Sequence, residues 1–220
     1  MIETGILFDD IHSFHDLNLV LSGCDIPPAT PKTNYVDIPG ADGSVDLTEA
    51  HGEVRFNDRD CKITFTMKPD DVMTWEEKKT EISNLLNGKK AKITLDKDAD
   101  FFYTGRCTVN SYLSSKKLRQ IVVTARVSPY KLKHDETVLI YPFSKTSQTI
   151  VIQNSRKTVS PYIAASGAGV TVTFGNRTFA LVKGMTYHAL DLLLVEGENQ
   201  LTISGTGEGT ITFRFREGVL

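Results

Sequence analysis

Residues 61–95 read CKITFTMKPDDVMTWEEKKTEISNLLNGKKAKITL. The first eight alternate strictly, with Cys61, Ile63, Phe65 and Met67 on one face and Lys62, Thr64, Thr66 and Lys68 on the other. A period of two with a single apolar face predicts a half-buried antiparallel strand within 53–68. Thr74-Trp75-Glu76-Glu77 then has the form of a capping box: a threonine, and a glutamate three residues on. Trp75, Ile82, Leu85 and Leu86 recur at helical spacing and make one apolar stripe. Gly88 suits a left-handed C-terminal cap, and Lys89 and Lys90 suit the negative end of the helix dipole. The stretch predicts a helix near 75–87 lying on a sheet, with a new strand over 91–95.

Working outward, the rest of the chain reads as β. Upstream, 4–8 and 11–20 read as strands joined by a turn at Asp9-Asp10. Pro27, Pro28 and Pro31 make 25–34 a loop or an edge segment, because proline removes a ladder donor. YVDIPGADGSVDL at 35–47 carries two turn signals in succession, Pro39-Gly40 and Asp42-Gly43, with alternating residues on either side. Downstream, 101–112 and 119–128 are strands, and Pro129 ends the series. The polar stretch 131–136 is the expected domain boundary, giving domains 1–132 and 133–220. The second domain shows strands near 137–143, 147–153, 161–165, 169–174, 177–182, 187–195, 199–204 and 210–216, with turn signals at Gly175-Asn176, Gly197-Glu198 and 205–209. Short strands at this spacing predict a sandwich or jelly roll.

Composition sets further bounds. The 220 residues are 40% hydrophobic and 24% charged, with a formal net charge of −2, an ordinary globular balance. No apolar run approaches the roughly 20 residues that span a bilayer, and the N-terminus has no basic region ahead of an apolar one, so we expect neither a membrane span nor a secretory signal. Three scattered cysteines argue against a disulfide framework and for a reducing compartment. The near-neutral total argues against a general nucleic-acid binder. The total hides a split, however. Residues 1–60 hold 12 acidic side chains against 3 basic, 61–134 hold 15 basic against 8 acidic, and 135–220 hold 7 of each. Either the acidic and basic parts neutralise each other within one domain, or part of the complementarity acts between copies, as in contacts that close rings.

Catalytic patterns are missing. There is no G-x-S-x-G elbow and no Walker lysine loop. Gly205-Thr206-Gly207-Glu208-Gly209 lies between two strands and reads as a hairpin turn. Asp96, Asp98 and Asp100 open like a calcium loop, but Phe101 and Cys107 stand where glycine and glutamate are needed, so an acidic solvated turn is expected. His12 and His15, three apart on an expected strand, would face opposite ways; His51, His134 and His188 are isolated. We expect no enzyme, no cofactor and no metal. Sugar binding is the competing class, because sandwiches often carry it. It needs an exposed aromatic platform, and Tyr162, Phe174, Phe179, Tyr187, Phe213 and Phe215 read mostly as sandwich core.

Three segments together resemble the distal tail protein (Dit) family of long-tailed phages or prophages of Gram-positive hosts. They are Ile38-Pro39-Gly40-Ala41-Asp42-Gly43-Ser44-Val45-Asp46 with the strand at 61–68; the capped helix with the strand series ending Val127-Ser128-Pro129-Tyr130-Lys131; and the closing stretches 197–203 and 209–216. Ala41 departs from the basic residue common in relatives. The resemblance implies a mainly β fold: an N-terminal split-barrel domain, akin to tail-tube proteins and carrying one helix, and a C-terminal galectin-like sandwich. It implies a ring, of six subunits in the family, at the tail tip of the virion, with a central channel for DNA as non-specific cargo. The implied partners are the tail-tube protein, a tail-associated lysin or tail-spike protein and a receptor-binding protein, with assembly in the host cytoplasm. For such a ring the candidate interface residues are Asp37, Asp42 and Asp46, facing Lys116, Lys117 and Arg119 of a neighbour. A carbohydrate-binding module or adhesin, or another tail-tube or baseplate component, remains the alternative.

Overall fold

The computed structural model describes residues 4–50, 52–68, 73–115 and 118–220. The chain divides into two compact units, Met1–Lys131 and Leu132–Leu220. The first contains β1 (Ile6–Phe8), β2 (Ile11–His12), β3 (Leu19–Asp25), β4 (Tyr35–Asp37), β5 (Ser44–Asp46), β6 (Arg59–Met67), helix α1 (Trp75–Leu86), β7 (Lys90–Leu95), β8 (Phe101–Ser114) and β9 (Arg119–Val127). A short β10 (Lys131–Lys133) follows. The main sheet of this unit runs β2-β1-β7-β8-β9-β6-β3. It is not a closed barrel: its path ends at β2 and β3, and these ends are tied by a bond from the Leu19 N–H to the Ser13 carbonyl at 2.8 Å.

The alternation in β6 places Cys61, Ile63, Phe65 and Met67 in the core. Their partners on β9 are in register, Cys61 with Ala125, Ile63 with Val123 and Phe65 with Ile121, so one apolar face is continuous across the strands. Ile82 and Leu86 of α1 cover that face, with Trp75 and Leu85 half-buried beside them. The helix begins where expected. Thr74 accepts from the Glu77 N–H at 3.3 Å, and Glu77 accepts from the Thr74 N–H at 2.9 Å. The hydrogen bonds from Thr74 hold the Glu77 carboxyl below its ordinary pKa. Gly88 takes φ +76°, the left-handed conformation that ends the helix, and its N–H bonds the Cys107 carbonyl at 2.9 Å.

Two boundaries differ from expectation. Residues 11–20 are not one strand: β2 stops at His12, and a turn runs to β3. Side chains capture the backbone there. The buried Ser13 hydroxyl accepts from the Ile6 N–H at 3.0 Å, Asp16 accepts from the His12 N–H at 2.6 Å, and Asn18 sits at φ +53°. The strand expected within 53–68 runs from Arg59 to Met67, and 53–58 belong to a separate hairpin described below. The residues Asp70 and Asp71, just upstream of α1, lie outside the described residues.

The second unit holds β11 (Thr137–Phe143), β12 (Gln148–Asn154), β13 (Tyr162–Ala165), β14 (Val170–Phe174), β15 (Arg177–Leu181), β16 (Thr186–His188), β17 (Gly197–Ser204), β18 (Gly209–Phe215) and β19 (Gly218–Val219). Two four-stranded sheets, β11-β18-β13-β16 and β12-β17-β14-β15, make a sandwich. Ile163, Ile211, Phe213 and Phe215 of one sheet and Ile152, Val172, Leu201 and Ile203 of the other fill its core. The glycines at 205 and 209, with Gly167, leave room for the Phe143 ring, since a Cβ on any of them would meet it. The 205–209 segment is therefore a turn between β17 and β18 shaped by packing.

The second difference is the strand expected over 187–195. Leu192 and Leu194 are buried while Leu193 and Val195 are exposed, which mimics strand alternation. Yet β16 ends at His188; beyond it Leu194 makes an isolated bridge with Val159, its N–H bonding the Val159 carbonyl at 2.8 Å, and two buried asparagines hold the backbone around it. Asn199 donates to the Val195 carbonyl at 2.8 Å and accepts from the Val195 N–H at 2.9 Å. Asn154 donates to the Leu194 carbonyl at 2.9 Å.

Two outcomes follow from this packing. Thr74→Ala removes the N-cap and destabilises the first unit by about 1 kcal/mol. Urea unfolding followed through Trp75, the chain's single tryptophan, checks this; an unmoved midpoint contradicts it. Asn199→Ala strips both bonds from Val195 in a buried setting and costs about 1–3 kcal/mol, read by calorimetry. A loss no larger than that of an exposed substitution contradicts the role given to Asn199.

Candidate assembly surface

Between Ile26 and Arg59 the chain leaves the main sheet and returns to it as a long two-legged arm. Proline at 27, 28 and 31 keeps the outgoing leg out of the ladder. The legs are joined by an isolated bridge between Pro31 and Phe56, by Lys32 N–H to Arg55 carbonyl at 2.7 Å and by Asn57 N–H to Thr30 carbonyl at 2.9 Å. At the root sits the buried Arg59. Its guanidinium donates to the Pro129 carbonyl at 2.5 Å and to the Pro27 carbonyl at 3.5 Å, and lies over the Tyr103 ring at 5.1 Å. Its Nε is buried with no hydrogen-bond partner among the described residues. Phe56 meets Tyr130 edge-on at 6.0 Å.

The far end of the arm is the β4–β5 hairpin. Pro39 and Gly40 occupy the two central positions of a turn closed by Ala41 N–H to Ile38 carbonyl at 3.1 Å. Gly40 has φ +85°, as the third residue of a type II turn requires. The pairs are Tyr35 with Asp46, Val36 with Val45 and Asp37 with Ser44. Partners share a face, and residues two apart share a face. One side therefore carries Tyr35, Asp37, Ser44 and Asp46, and the other Val36, Ile38, Val45 and Leu47. The aliphatic side is uncovered: these four are 42%, 49%, 43% and 39% exposed. Among the described residues, none between 27 and 58 belongs to the buried core of the unit.

The polar side satisfies itself. Ser44 donates to Asp37 at 2.6 Å, and Asp46 accepts from the Thr48 N–H at 2.9 Å. The Thr48 side chain and N–H, together with Tyr35, hold the Asp46 carboxyl below its ordinary pKa. The structure thus brings Asp37, Asp42 and Asp46 together on one hairpin. Arg119 lies elsewhere in the same unit, at the tip of the β8–β9 hairpin, paired with Ser114. Lys116 and Lys117 lie outside the described residues. Beside Arg119 are Leu113 and Leu118, 53% and 44% exposed. With Tyr35 and the aliphatic side of the arm, they are the large hydrophobics most exposed among the described residues of the first unit. The β4–β5 alternation signals the apolar side in the sequence; that it lies uncovered is visible only in the fold.

The residues screened for chemistry have other partners. His12 and His15 are not on opposite faces of a strand; both lie in the β2–β3 turn region with rings 4.6 Å apart. His12 Nε2 is 3.1 Å from Asp96, which also accepts from the Gly5 N–H at 2.5 Å, while Asp98 accepts from Lys131 at 2.6 Å. The acidic turn at 96–100 is therefore tied into the unit at Asp96 and Asp98 rather than left wholly to solvent. His51 lies outside the described residues. No cluster of three or more histidine, cysteine or acidic side chains placed to hold a metal is found among the described residues. Cys61 and Cys107 are buried, and burial pushes each thiol up to about 11, which keeps them protonated. In the second unit, Phe213 and Phe215 are core and Phe174, Phe179 and Tyr187 are half-buried, but Tyr162 is an exception at 45% exposed. It stacks on His188 at 4.4 Å, and His188 Nε2 is 2.9 Å from the Ser160 hydroxyl. No helix among the described residues is long and apolar enough to cross a membrane.

The family profile of the phage tail protein RIFT-related domain matches residues 12–137, more than half of the sequence. No curated protein matches it. Among solved structures, the fold is similar to the Dit protein (gp 19.1) of phage SPP1, described as a paradigm of the hub adsorption apparatus in Gram-positive infecting phages. The TM-score is 0.69 over 97% of this chain and 98% of that one, at 11% sequence identity. The chain belongs to the phage tail protein RIFT-related domain family, a structural tail protein and not an enzyme, with the fold of a distal tail protein.

Proposed function

We propose that this protein is the hub of a phage tail tip, assembling with copies of itself into a closed ring of six. In this reading the ring joins the tail tube to the baseplate or adsorption apparatus and leaves a central channel through which DNA passes. Residues 1–132 form the ring, and 133–220 serve as a galectin-like scaffold. The partners are the tail-tube protein on one side and a lysin or tail-spike protein, with a receptor-binding protein, on the other. Assembly takes place in the host cytoplasm.

One observation carries this reading: the arm. An isolated two-stranded hairpin is marginal in water, and this one leaves an entire aliphatic side uncovered. Its charge is also one-sided, six carboxylates between 27 and 58 against Lys32 and Arg55. The β8–β9 tip has the opposite sign, with Lys116, Lys117 and Arg119 in succession around Leu118. An acidic patch and a basic patch at different places on one chain make a heterologous contact, which closes into a ring when the rotation per subunit allows. In the assembly, Asp37, Asp42 and Asp46 face Lys116, Lys117 and Arg119 of the neighbour.

A second reading, glycan binding by the sandwich, has Tyr162 in its favour, since an exposed ring beside Arg214 of β18 is a usable sugar contact. Silence across cell-wall glycans on an array removes it.

The charge contact predicts that Asp42→Lys with Asp46→Lys lowers the mass seen by light scattering. Raising salt from about 0.05 M to about 0.5 M weakens the wild-type assembly in the same direction. Asp46→Asn, which keeps an oxygen for Thr48, separates loss of charge from loss of the turn. An oligomer of unchanged size after the double reversal rejects the assignment of these residues.

A further inference from the structure

We infer that the outer face of the first unit's main sheet is a contact surface for the phosphate backbone of duplex DNA. Lys62 of β6, Lys90 and Lys92 of β7, Arg106 of β8 and Arg126 of β9 stand together on it. The inference goes beyond the hub reading, since it assigns where DNA meets this chain, and it stands or falls without the ring.

Register brings these side chains together. Cys61, Ala91, Cys107 and Ala125 belong to the core that α1 covers, so their neighbours along each strand face the other way. Asp60 pairs with Arg126, Arg126 with Arg106 and Arg106 with Lys90, one row across four strands. The adjoining rows carry Lys62, Thr124 and Thr108 on one side, and Thr104 with Lys92 on the other. Each of the cations is exposed. Arg126 has Asp58 at 3.4 Å, whereas Lys62, Lys90, Lys92 and Arg106 have no carboxylate partner among the described residues. Asp60, and Asp25 opposite Lys62, border the patch on its β6–β3 side, and no acid stands in these rows from β9 to β7.

Such a row is unfavourable by itself. Like charges directly opposite each other across strands destabilise a sheet, and Arg106 has a cation opposite it on both sides. Its guanidinium donates to the Gly88 carbonyl, which fixes the group without discharging it. Strands lie about 4.8 Å apart, so the row from Arg126 to Lys90 spans roughly 10 Å. A run of linked anions covers that distance and relieves both like-charge pairs, where a single small ion does not.

The kind of polyanion follows from what the face lacks. None of the chain's exposed large hydrophobics lies in these rows, and Phe102, which shares the face with Thr104, is buried. Protein partners are held through aromatic and aliphatic anchors, with lysine depleted. Single-stranded nucleic acid is held through bases stacked on exposed rings. Lysine, arginine and threonine hydroxyls without such anchors are the donor set that takes the phosphate oxygens of a duplex. Because α1 lies on the opposite face, no helix enters a groove here to read base edges, and the contact is independent of sequence.

Fluorescence anisotropy of the full chain with a labelled DNA duplex of arbitrary sequence tests this, read as the salt dependence of affinity. Each neutralised phosphate contributes about −0.9 to the slope of log K against log salt. About four to five contacts therefore predict a loss of about 10²- to 10³-fold between about 0.05 M and about 0.2 M salt. Lys90→Gln, Lys92→Gln and Arg106→Gln together should flatten the slope by about 2.7. Lys90→Gln with Lys92→Gln, which spares the bond from Arg106 to Gly88, should flatten it by about 1.8. Lys32→Gln, Lys145→Gln and Lys183→Gln together remove as much charge from exposed positions elsewhere and should leave the slope unchanged. No binding at about 0.05 M salt, or slopes as steep in the face variants as in the wild type, overturns the inference. Polyglutamate that competes as well, charge for charge, as unlabelled duplex means that the face takes an acidic protein, and overturns it too. Tighter binding of a single strand than of the duplex also counts against it. The ring is read separately, by light scattering on the same samples.

Discussion

A guanidinium buried at the foot of the arm divides the first unit into two regimes. On the inner side of Arg59, β6 alternates into a core that α1 covers; Cys61, Ile63 and Phe65 have partners in register on β9, and Met67 pairs with Leu19 of β3. On the outer side the same kind of alternation continues in β4 and β5 with nothing beneath it. Burying a charge is costly unless it is bonded, and Arg59 is bonded to carbonyls at both the start of the arm and the end of β9. The charge is therefore stable only while the arm leaves the sheet at this point and in this direction. Shape, rather than chemistry, is what Arg59 secures.

The second unit is ordered by other devices. Its two sheets meet face to face, its glycines at 167, 205 and 209 make way for Phe143, and its irregular stretch beyond His188 is held by Asn154 and Asn199. Asn199, bonded at both its amide nitrogen and its oxygen, specifies one arrangement strongly, because leaving such a buried group unsatisfied costs more than the bonds return, whereas Asn154 is bonded through its nitrogen and its Oδ1 is buried with no partner among the described residues. The second unit still exposes large hydrophobics, Ile140 and Leu190 above all, whereas in the first unit they are confined, among the described residues, to the arm and the β8–β9 tip.

Much of this was legible in the sequence. Strict alternation over 61–67 placed β6, because only one register puts four apolar residues on a covered face. The Thr74–Glu77 box placed the helix, because capping is local chemistry. What failed were stretches where side chains replace backbone partners. Ser13 and Asp16 cut the strand expected over 11–20, and Asn154 and Asn199 organise 189–195 while Leu192 and Leu194 imitate a strand. A hydropathy pattern does not distinguish a backbone bonded to a neighbouring strand from one bonded to an amide. The arm was half legible: its turns and acidic residues were visible in 35–47, but alternation reads the same whether the apolar face is covered by the chain itself or left for another molecule. The basic partners at 116–119 were chosen on charge alone, whereas Leu113 and Leu118 stand out only once exposure is known.

Charge and apolar area do different work at such a surface. Exposed ion pairs contribute about 0–1 kcal/mol each and weaken with salt, so three carboxylates facing three cations cannot hold a ring together by themselves. Asp37 and Asp46 are moreover already bonded within the hairpin. Their field still reaches roughly a Debye length, about 8 Å at physiological ionic strength, and speeds correctly oriented encounters while opposing like patches. An acidic arm is thereby kept from pairing with another acidic arm, which would give a closed dimer and end growth. In the proposed assembly, exposed aliphatic side chains such as Val36, Ile38, Val45 and Leu47 supply the burial that a charge contact lacks. On this view the segregation of −9 in residues 1–60 from +7 in 61–134 sets which surfaces meet, and the uncovered stripe sets how long they stay together.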